Sequence, residues 1–153
     1  MASKSDTESV ERVIPAPPEA IFALLADPRR HKDFDGSGMV RGAKNLPETL
    51  KIGAQFGMSM RLGIPYSMVS TVIEFEPNRV IAWQTYPPGH THRLAGGRIW
   101  RYELKPVEGG TLVRETWDIS QERVKAVVQP ARGKTIVGMT KTLERLEALV
   151  AGG

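Results

Sequence analysis

A single carboxylate stands among large aromatic residues in the segment "IWRYELKPVEGGTLVRETW", residues 99–117. Two alternating runs flank Gly109-Gly110, a pattern typical of a β-hairpin with a two-residue turn. Because side chains alternate between the faces of a strand, Glu115 shares its face with three aromatic residues. These are Trp100, Tyr102 and Trp117. An apolar environment raises the pKa of a carboxyl group, which makes Glu115 a candidate general base or ligand anchor.

The position of the turn decides which residues of the hairpin face each other. With both glycines in the turn, Tyr102 pairs with Trp117, and Leu104 pairs with Glu115. Tyr102 is then a candidate for polarising a substrate carbonyl. Two structural roles are open for Glu115 as well: a place at the open end of the sheet, or an ion pair with an arginine such as Arg98.

Histidines of the segment "PPGHTHR" are the other candidates for chemistry. His90 and His92 are two residues apart, and His92 is the second candidate for a general base. Zinc needs three or four protein ligands, whereas the chain has no cysteine and one further histidine, His31, so we expect no metal site. The loop is rich in Pro and Gly, and we expect it at the mouth of a cavity. His31, Asp35 and Ser37 could rim the same mouth, although helix-ending and turn-capping roles explain them better.

A set of apolar and aromatic residues could form the wall of a binding site. Methionine suits such a wall because its side chain is flexible and polarizable, although the same residues also suit an ordinary core. The candidate ligand-binding residues are Phe56, Met58, Met60, Met68, Trp83, His90, Trp100, Trp117, Met139 and Leu143.

The remaining pattern predicts the elements that position these residues. "SVERVIPA" alternates like a strand, and "PPEAIFALLAD" and "RRHKDF" are typical of two short helices. Alternating segments then follow up to the hairpin, and "KTIVGMTKTLERLEALV" has the apolar spacing of a long amphipathic helix, with a break at Pro130. We therefore predict an α+β fold in which an antiparallel sheet packs its apolar face against the last helix.

Composition and charge exclude several classes of protein. The chain has 153 residues with a net charge of +4, but its basic residues are scattered among acidic ones, so we expect no binding to nucleic acid. We find no signal-peptide pattern and no apolar run long enough to span a membrane, and expect a cytoplasmic protein. No nucleophile elbow, phosphate loop or dinucleotide fingerprint is present.

Three segments resemble the SRPBCC superfamily, which includes START lipid-transfer domains, the birch-pollen allergen and the polyketide cyclase/dehydrase group. They are "IPAPPEAIFALLADPRRHKDFDGSG", "VIEFEPNRVIAW" and "WRYELKPVEGGTLVRETWD". The chain is most similar to small bacterial members of the polyketide cyclase-like branch. The resemblance implies a helix-grip fold, in which seven antiparallel strands wrap around the C-terminal helix and enclose a hydrophobic cavity. It implies a single domain over residues 8–151, with residues 1–7 as a disordered N-terminus.

Two functions of different classes follow from these observations. The first is binding of a small hydrophobic or aromatic molecule, such as a lipid or polyketide, with Glu115, Tyr102 or a histidine orienting its polar end. The alternative is a polyketide cyclase or dehydratase in which Glu115 or His92 is the general base. A protein-interaction role is a weaker alternative. We expect no cofactor for any of these functions, and the protein could form a homodimer.

Overall fold

The structure, a computed structural model, describes residues 6–37, 40–44, 50–62, 64–88 and 95–151. Its strands form one antiparallel sheet in the order β1-β7-β6-β5-β4-β3-β2. The seven strands are β1 (Thr7–Ile14), β2 (Val40–Lys44), β3 (Gln55–Leu62), β4 (Ile64–Glu76), β5 (Val80–Tyr86), β6 (Arg98–Val107) and β7 (Gly110–Asp118). The first strand therefore lies beside the last, and the α+β class and the antiparallel sheet are confirmed. β2 is not among the strands that the sequence pattern identifies.

The helices lie before β2 and after β7. They are α1 (Pro18–Leu25), α2 (His31–Phe34), α3 (Lys125–Val128) and α4 (Arg132–Ala151). A proline at the N-terminus of α1 favours helix initiation there, because it lacks an N–H that would have no partner in the first turn. Pro130 lies in a short 3₁₀ turn between α3 and α4, as the predicted break requires. The long C-terminal helix is confirmed.

Asp6 and Thr7, which precede the predicted domain start at residue 8, both belong to the described structure. Thr7 is the first residue of β1. The carbonyl of Asp6 accepts a hydrogen bond from Ile119 N at 2.8 Å, and the Asp6 carboxylate pairs with Lys125. The N-terminal segment is thus held by backbone and side-chain contacts from Asp6 onward.

The predicted register of the β6–β7 hairpin is wrong by two residues. Tyr102 faces Glu115, and Trp100 faces Trp117. A shift of two leaves every side chain on its predicted face, because the side-chain period of a strand is also two. The aromatic face is therefore as predicted, whereas the cross-strand partners are not.

The reason for the shift is that Gly110 belongs to β7 rather than to the turn. Glu108 and Gly109 form the turn, and Gly109 has a φ of 90°. A Cβ atom on Gly110 would lie 2.1 Å from the carbonyl oxygen of Ile14. Gly110 is thus required by the close approach of the β1 backbone, and the second glycine of the pair is not a turn signal.

One face of the sheet, here called the inner face, carries the core. Its buried side chains pack with the buried faces of α1 and α4, including Leu143 and Leu146 of α4. α4 lies against β1 and β7 and also contacts α1 and α2. A second, smaller cluster at the start of α4 contains Trp117, Ile119, Val128 and Met139.

Candidate functional site

Glu115 lies on the inner face with only 3% of its surface exposed. Its cross-strand neighbours are Tyr102 on β6 and Val10 on β1. Its Oε1 atom is buried without a hydrogen-bond partner in the described part of the chain. Burial disfavours the charged form and raises the pKa of Glu115 to about 8, so the carboxyl group is mostly protonated at pH 7.

Tyr102 is the titratable group directly across from Glu115 and is 4% exposed. Burial, followed by the neighbouring Glu115 charge, raises the pKa of the Tyr102 phenol well above its usual value. The phenol therefore remains an O–H donor over the physiological pH range. Hydrogen bonding from Tyr102 stabilises the Glu115 carboxylate and offsets a part of the rise in its pKa.

Neither structural role predicted for Glu115 is found. The side chain is too deeply buried for a place at the solvated end of the sheet. Arg98 instead pairs with the fully buried Glu122, with Nε 3.0 Å from Oε1. The other Glu122 oxygen accepts hydrogen bonds from the backbone N–H groups of Gly96 and Val124. Glu122 thus fixes the segment before β6 to the loop after β7, a role that the sequence pattern did not reveal.

The three tryptophans of the chain lie side by side across β5, β6 and β7. Trp83 faces Trp100, and Trp100 faces Trp117. This tryptophan row, residues 83, 100 and 117, is adjacent to the Tyr102–Glu115 pair, since the rings of Trp83 and Tyr102 are 5.6 Å apart. The two buried polar groups therefore lie next to a continuous array of aromatic rings.

His31 is buried among aromatic rings rather than lying at a cavity mouth. Its ring stacks on Trp83 at 4.8 Å, with Phe34 and Phe56 each 5.3 Å away. Nε2 lies 2.9 Å from the Leu25 carbonyl oxygen, a geometry in which the ring N–H donates. Burial lowers the pKa of His31 to about 4, so the ring is neutral at pH 7.

The turn after α2 lies directly on α4. Gly36 N donates to the Thr142 hydroxyl at 2.9 Å, and a Cβ atom on Gly36 would lie 2.1 Å from the Gly138 carbonyl oxygen. The Asp35 carboxylate accepts hydrogen bonds from the Ser37 N–H and hydroxyl groups, which is the turn-capping role that the sequence left open. This segment, Asp35–Ser37, is here called the docked turn.

The docked turn brings a negative charge toward the inner face. The Asp35 charge raises the pKa values of Glu115 and Tyr102, and also that of Tyr66 on β4. These three side chains belong to three different strands, and the Asp35 charge acts on all of them. The docked turn therefore lies near the part of the inner face that they share. Tyr66 faces Met60 across β3 and β4 and is a polar group that the predicted site does not contain.

The predicted wall residues divide into two groups. Most belong to or pack against the main core: Phe56, Met58, Met60, Trp83, Trp100 and Leu143. Met68 faces Met58 across β3 and β4 and is partly buried. Trp117 and Met139 are in the second cluster, which Trp100 also contacts. His90 and His92 lie outside the described residues.

Two buried hydroxyl groups were also missed by the sequence analysis. Ser70 and Thr85 face each other across β4 and β5, and their oxygens are 2.8 Å apart. Ser70 lies opposite Phe56 and therefore on the inner face. The alternation of "YSMVSTVIEFEP" and "RVIAWQTYP" could have predicted this. Ser70 and Thr85 are each two residues away from apolar residues of the inner face, so they lie on that face as well.

The described residues lack two features, a metal-ligand cluster and a membrane-spanning helix. They contain no group of three or more His, Asp or Glu residues arranged to hold a metal ion. None of the described helices combines the length and the apolar composition that crossing a membrane requires.

Comparison with solved structures supports the fold over almost the whole chain. A protein from Chromobacterium violaceum, CV1439, has a TM-score of 0.73 at 20% identity, covering 95% of this chain and 96% of that one. DynU16, described as a protein in the dynemicin biosynthetic locus, has a TM-score of 0.65 at 16% identity. That match covers 97% of this chain and 48% of DynU16. At such identities the likeness concerns the fold alone.

Sequence comparison identifies the family. The uncharacterized protein Rv0088 of Mycobacterium tuberculosis strain H37Rv is 40% identical over 114 residues, 73% of this chain. The matched part is 46% of Rv0088, so the chain spans about half the length of this relative. A family model described as "Polyketide cyclase / dehydrase and lipid transport" matches residues 7–151. The chain belongs to this polyketide cyclase/dehydrase and lipid transport family.

Proposed function

We propose that the protein binds a small hydrophobic or aromatic molecule between the inner face of the sheet and α4. The observation that carries the proposal is the unpartnered Oε1 of Glu115, a polar atom buried beside an aromatic surface. A buried polar group without a partner costs free energy, and a ligand atom that hydrogen-bonds to it recovers that cost. The family description, which includes lipid transport, agrees with an apolar ligand of this kind.

The ligand's apolar part lies against the tryptophan row and the adjacent methionines. Trp100 is only partly buried and contacts both core clusters, so it has surface left to offer a ligand. Met60 and Met68 are also partly buried on the same face. Aromatic and methionine side chains provide most of the affinity in such sites, while a few polar groups fix the orientation.

Nile red, a neutral polycyclic dye whose fluorescence rises in apolar surroundings, is a direct probe. We expect saturable binding by the wild-type protein. The Met60→Lys variant places a charge on the inner face and is expected to weaken binding about tenfold or more. Ser59→Lys is the matched control, because Ser59 is the adjacent, similarly exposed residue on the opposite face of β3. Circular dichroism checks that both variants fold. Absence of binding by the wild type, or equal loss in both variants, contradicts the proposal.

Native mass spectrometry of the freshly purified protein provides an independent test. A retained ligand would give a reproducible extra mass that disappears on denaturation. Its size would then guide the choice of further probes. We expect Met60→Lys to carry less of this mass than Ser59→Lys.

A second function is favoured by one specific observation. The pKa of Glu115, about 8, is close to neutral pH, which suits a group that must both accept and release a proton. In a dehydratase, the ionised Glu115 would remove the proton α to a ketone and would then donate this proton to the β-hydroxyl group, which leaves as water while the Cα–Cβ double bond forms. The probe is 4-hydroxy-4-phenylbutan-2-one, whose dehydration gives a conjugated enone. Turnover that increases with pH through about 8 and is lost in Glu115→Gln would support this function.

A further inference from the structure

The protonation of the site limits the class of ligand that it can accept. Glu115 and Tyr102 face each other across β6 and β7, and both are almost completely buried. A carboxylic acid that is protonated and a phenol are both O–H donors. Because Tyr102 already donates its single O–H to Glu115, the donor left for a ligand is the Glu115 hydroxyl group at Oε1, and its best partner is an oxygen that only accepts.

The charges around the pair disfavour an anion. Among the described residues, the groups that shift the pKa of Glu115 are Tyr102 and the negatively charged Asp35, and none of them is a cation. On the other side, the cross-strand neighbour of Glu115 is the apolar Val10. A ligand carboxylate at this point would be desolvated beside Asp35 without a positive partner.

Three arginines of the described residues, two on the inner side of the sheet and one on α4, are each held by a carboxylate. Arg12 pairs with Glu147 of α4 at 3.1 Å. Arg98 pairs with the buried Glu122, and Arg132 of α4 pairs with Glu8 while lying over the Trp117 ring. Recruiting any of these arginines to a ligand carboxylate would break an existing ion pair. For Arg98, the cost would include an uncompensated buried Glu122.

The docked turn holds Asp35 in place. Gly36 lies against Gly138 of α4 with no space for a side chain, and its N–H is bound by Thr142. Arg145 of α4 donates to the Asp35 carbonyl oxygen. The position of the Asp35 charge is thus determined by packing of the turn on the helix.

We propose that the Glu115 hydroxyl group, with Tyr102 hydrogen-bonded to the same carboxyl group, donates a hydrogen bond to the carbonyl oxygen of an uncharged ligand, a ketone or quinone whose apolar body lies on the tryptophan row, and that the site discriminates against fatty-acid carboxylates. This inference rests on the proposed function and specifies its ligand class. Because the Trp83 and Tyr102 rings are 5.6 Å apart, a ligand body on the tryptophan row lies next to the Glu115–Tyr102 pair. Asp35 acts as a positioning and selectivity residue that does not itself bind the carbonyl.

The test compares neutral ketones with carboxylate anions of nearly the same size. Isothermal titration calorimetry at pH 7 measures 2-acetonaphthone against 2-naphthoate, and decan-2-one against decanoate. We expect each ketone to bind about tenfold or more tightly than its carboxylate, since a like charge nearby is poorly screened in a buried site. Asp35→Asn is expected to reduce this ratio about threefold or more. Asp33→Asn is the matched control, because Asp33 forms an exposed ion pair with Arg30.

A pH series separates donation by Glu115 from simple apolar binding. We expect the affinity of 2-acetonaphthone to fall as pH rises through about 8, because the ionised carboxylate no longer donates. Glu115→Gln keeps an N–H donor at every pH and is expected to remove this fall. A wild-type affinity that does not change between pH 6.5 and 9.5 would overturn the proposal.

The outcomes also distinguish this inference from the proposed function. Equal affinity for ketone and carboxylate would overturn the inference and leave hydrophobic binding intact. Binding of Nile red with neither ketone bound would do the same. Absence of binding by Nile red and by all four compounds would overturn both.

Discussion

Glu115 is costly to the folded protein in its charged form. The folded-state pKa of about 8 lies above the value of 4.5 for a solvent-exposed glutamate side chain, as in the unfolded state. The folded state therefore binds more protons than the unfolded state between these two pH values. The free energy of unfolding must therefore decrease as pH rises through this window. A residue that reduces stability at neutral pH and is buried beside an aromatic surface is typical of a functional site.

Glu115→Gln should stabilise the protein, and more so as pH rises. At pH 7 the expected gain is about 3 kcal/mol, from the difference between the two pKa values up to that pH. Near pH 4.5 the gain should be small, because wild-type Glu115 is then protonated in the folded state and about half protonated in the unfolded state. Urea denaturation at pH 4.5, 7 and 8.5 measures this. Glu103→Gln, an exposed glutamate on the opposite face of β6, is the control. A gain that is independent of pH would show that the pKa of Glu115 is not raised.

At the residue scale, the sequence predicted the types of group in the site but not their states. The alternation of the hairpin correctly placed Glu115 with the aromatic residues. It could not distinguish a paired from an unpaired carboxylate, because that depends on Glu122, which takes Arg98 from a distant position in the sequence. For His31 the sequence favoured a helix-ending role over a place at the rim, and it did not reveal the burial of the ring, because that burial arises from contacts with Phe56 and Trp83 on distant strands.

At the element scale, alternation determines which face a side chain occupies, whereas tertiary contacts determine the register. The Gly109-Gly110 pair resembled a two-residue turn, yet Gly110 is needed where β7 passes the Ile14 carbonyl. A pattern within one hairpin cannot reveal the approach of a strand from 96 residues earlier in the chain (Ile14 against Gly110). The sequence therefore predicted the inner face correctly and the cross-strand pairs incorrectly.

The docking of the turn on α4 gives a prediction for Gly36. In Gly36→Ala, the new methyl group would lie 2.1 Å from the Gly138 carbonyl oxygen and 2.6 Å from Thr142 N. Because helix backbone cannot shift easily, we expect a loss of about 1–3 kcal/mol in the free energy of unfolding. Displacement of the turn should also weaken the discrimination between 2-acetonaphthone and 2-naphthoate.

Gly133→Ala is the matched control for this substitution. Gly133 is in α4 with nothing within 4 Å of the added methyl group, so the change should be neutral or stabilise the helix by up to about 1 kcal/mol. Urea denaturation compares the two variants. Equal effects of the two substitutions would mean that the turn is not tightly docked on α4.

At the scale of the whole molecule, two buried groups have opposite effects on stability. The pKa of His31, about 4, lies below the value of 6.5 for a solvent-exposed histidine side chain. Between pH 4 and 6.5 the folded state therefore binds fewer protons than the unfolded state. Stability from this source decreases by about 3 kcal/mol as pH falls from 6.5 to 4. Glu115 acts in the opposite direction between about 4.5 and 8. Between pH 4.5 and 6.5 the two effects on the free energy of unfolding largely cancel. His31 dominates the pH dependence below about 4.5, and Glu115 dominates it above about 6.5.

The two halves of the pH profile should therefore be separable by mutation. His31→Gln keeps a donor for the Leu25 carbonyl but cannot become charged, so the Glu115 effect is no longer cancelled, and its stability should fall as pH rises from about 4.5 to 6.5, where that of the wild type changes little. Its overall stability should be lower, because the stacking on Trp83 is lost. Glu115→Gln should remove the decrease between pH 6.5 and 8, and the double variant should lose both effects. Denaturation curves from pH 4 to 8.5 test this. If His31→Gln and the wild type had the same pH dependence between pH 4.5 and 6.5, His31 would not stay neutral in the core, and the aromatic cluster would tolerate its charge.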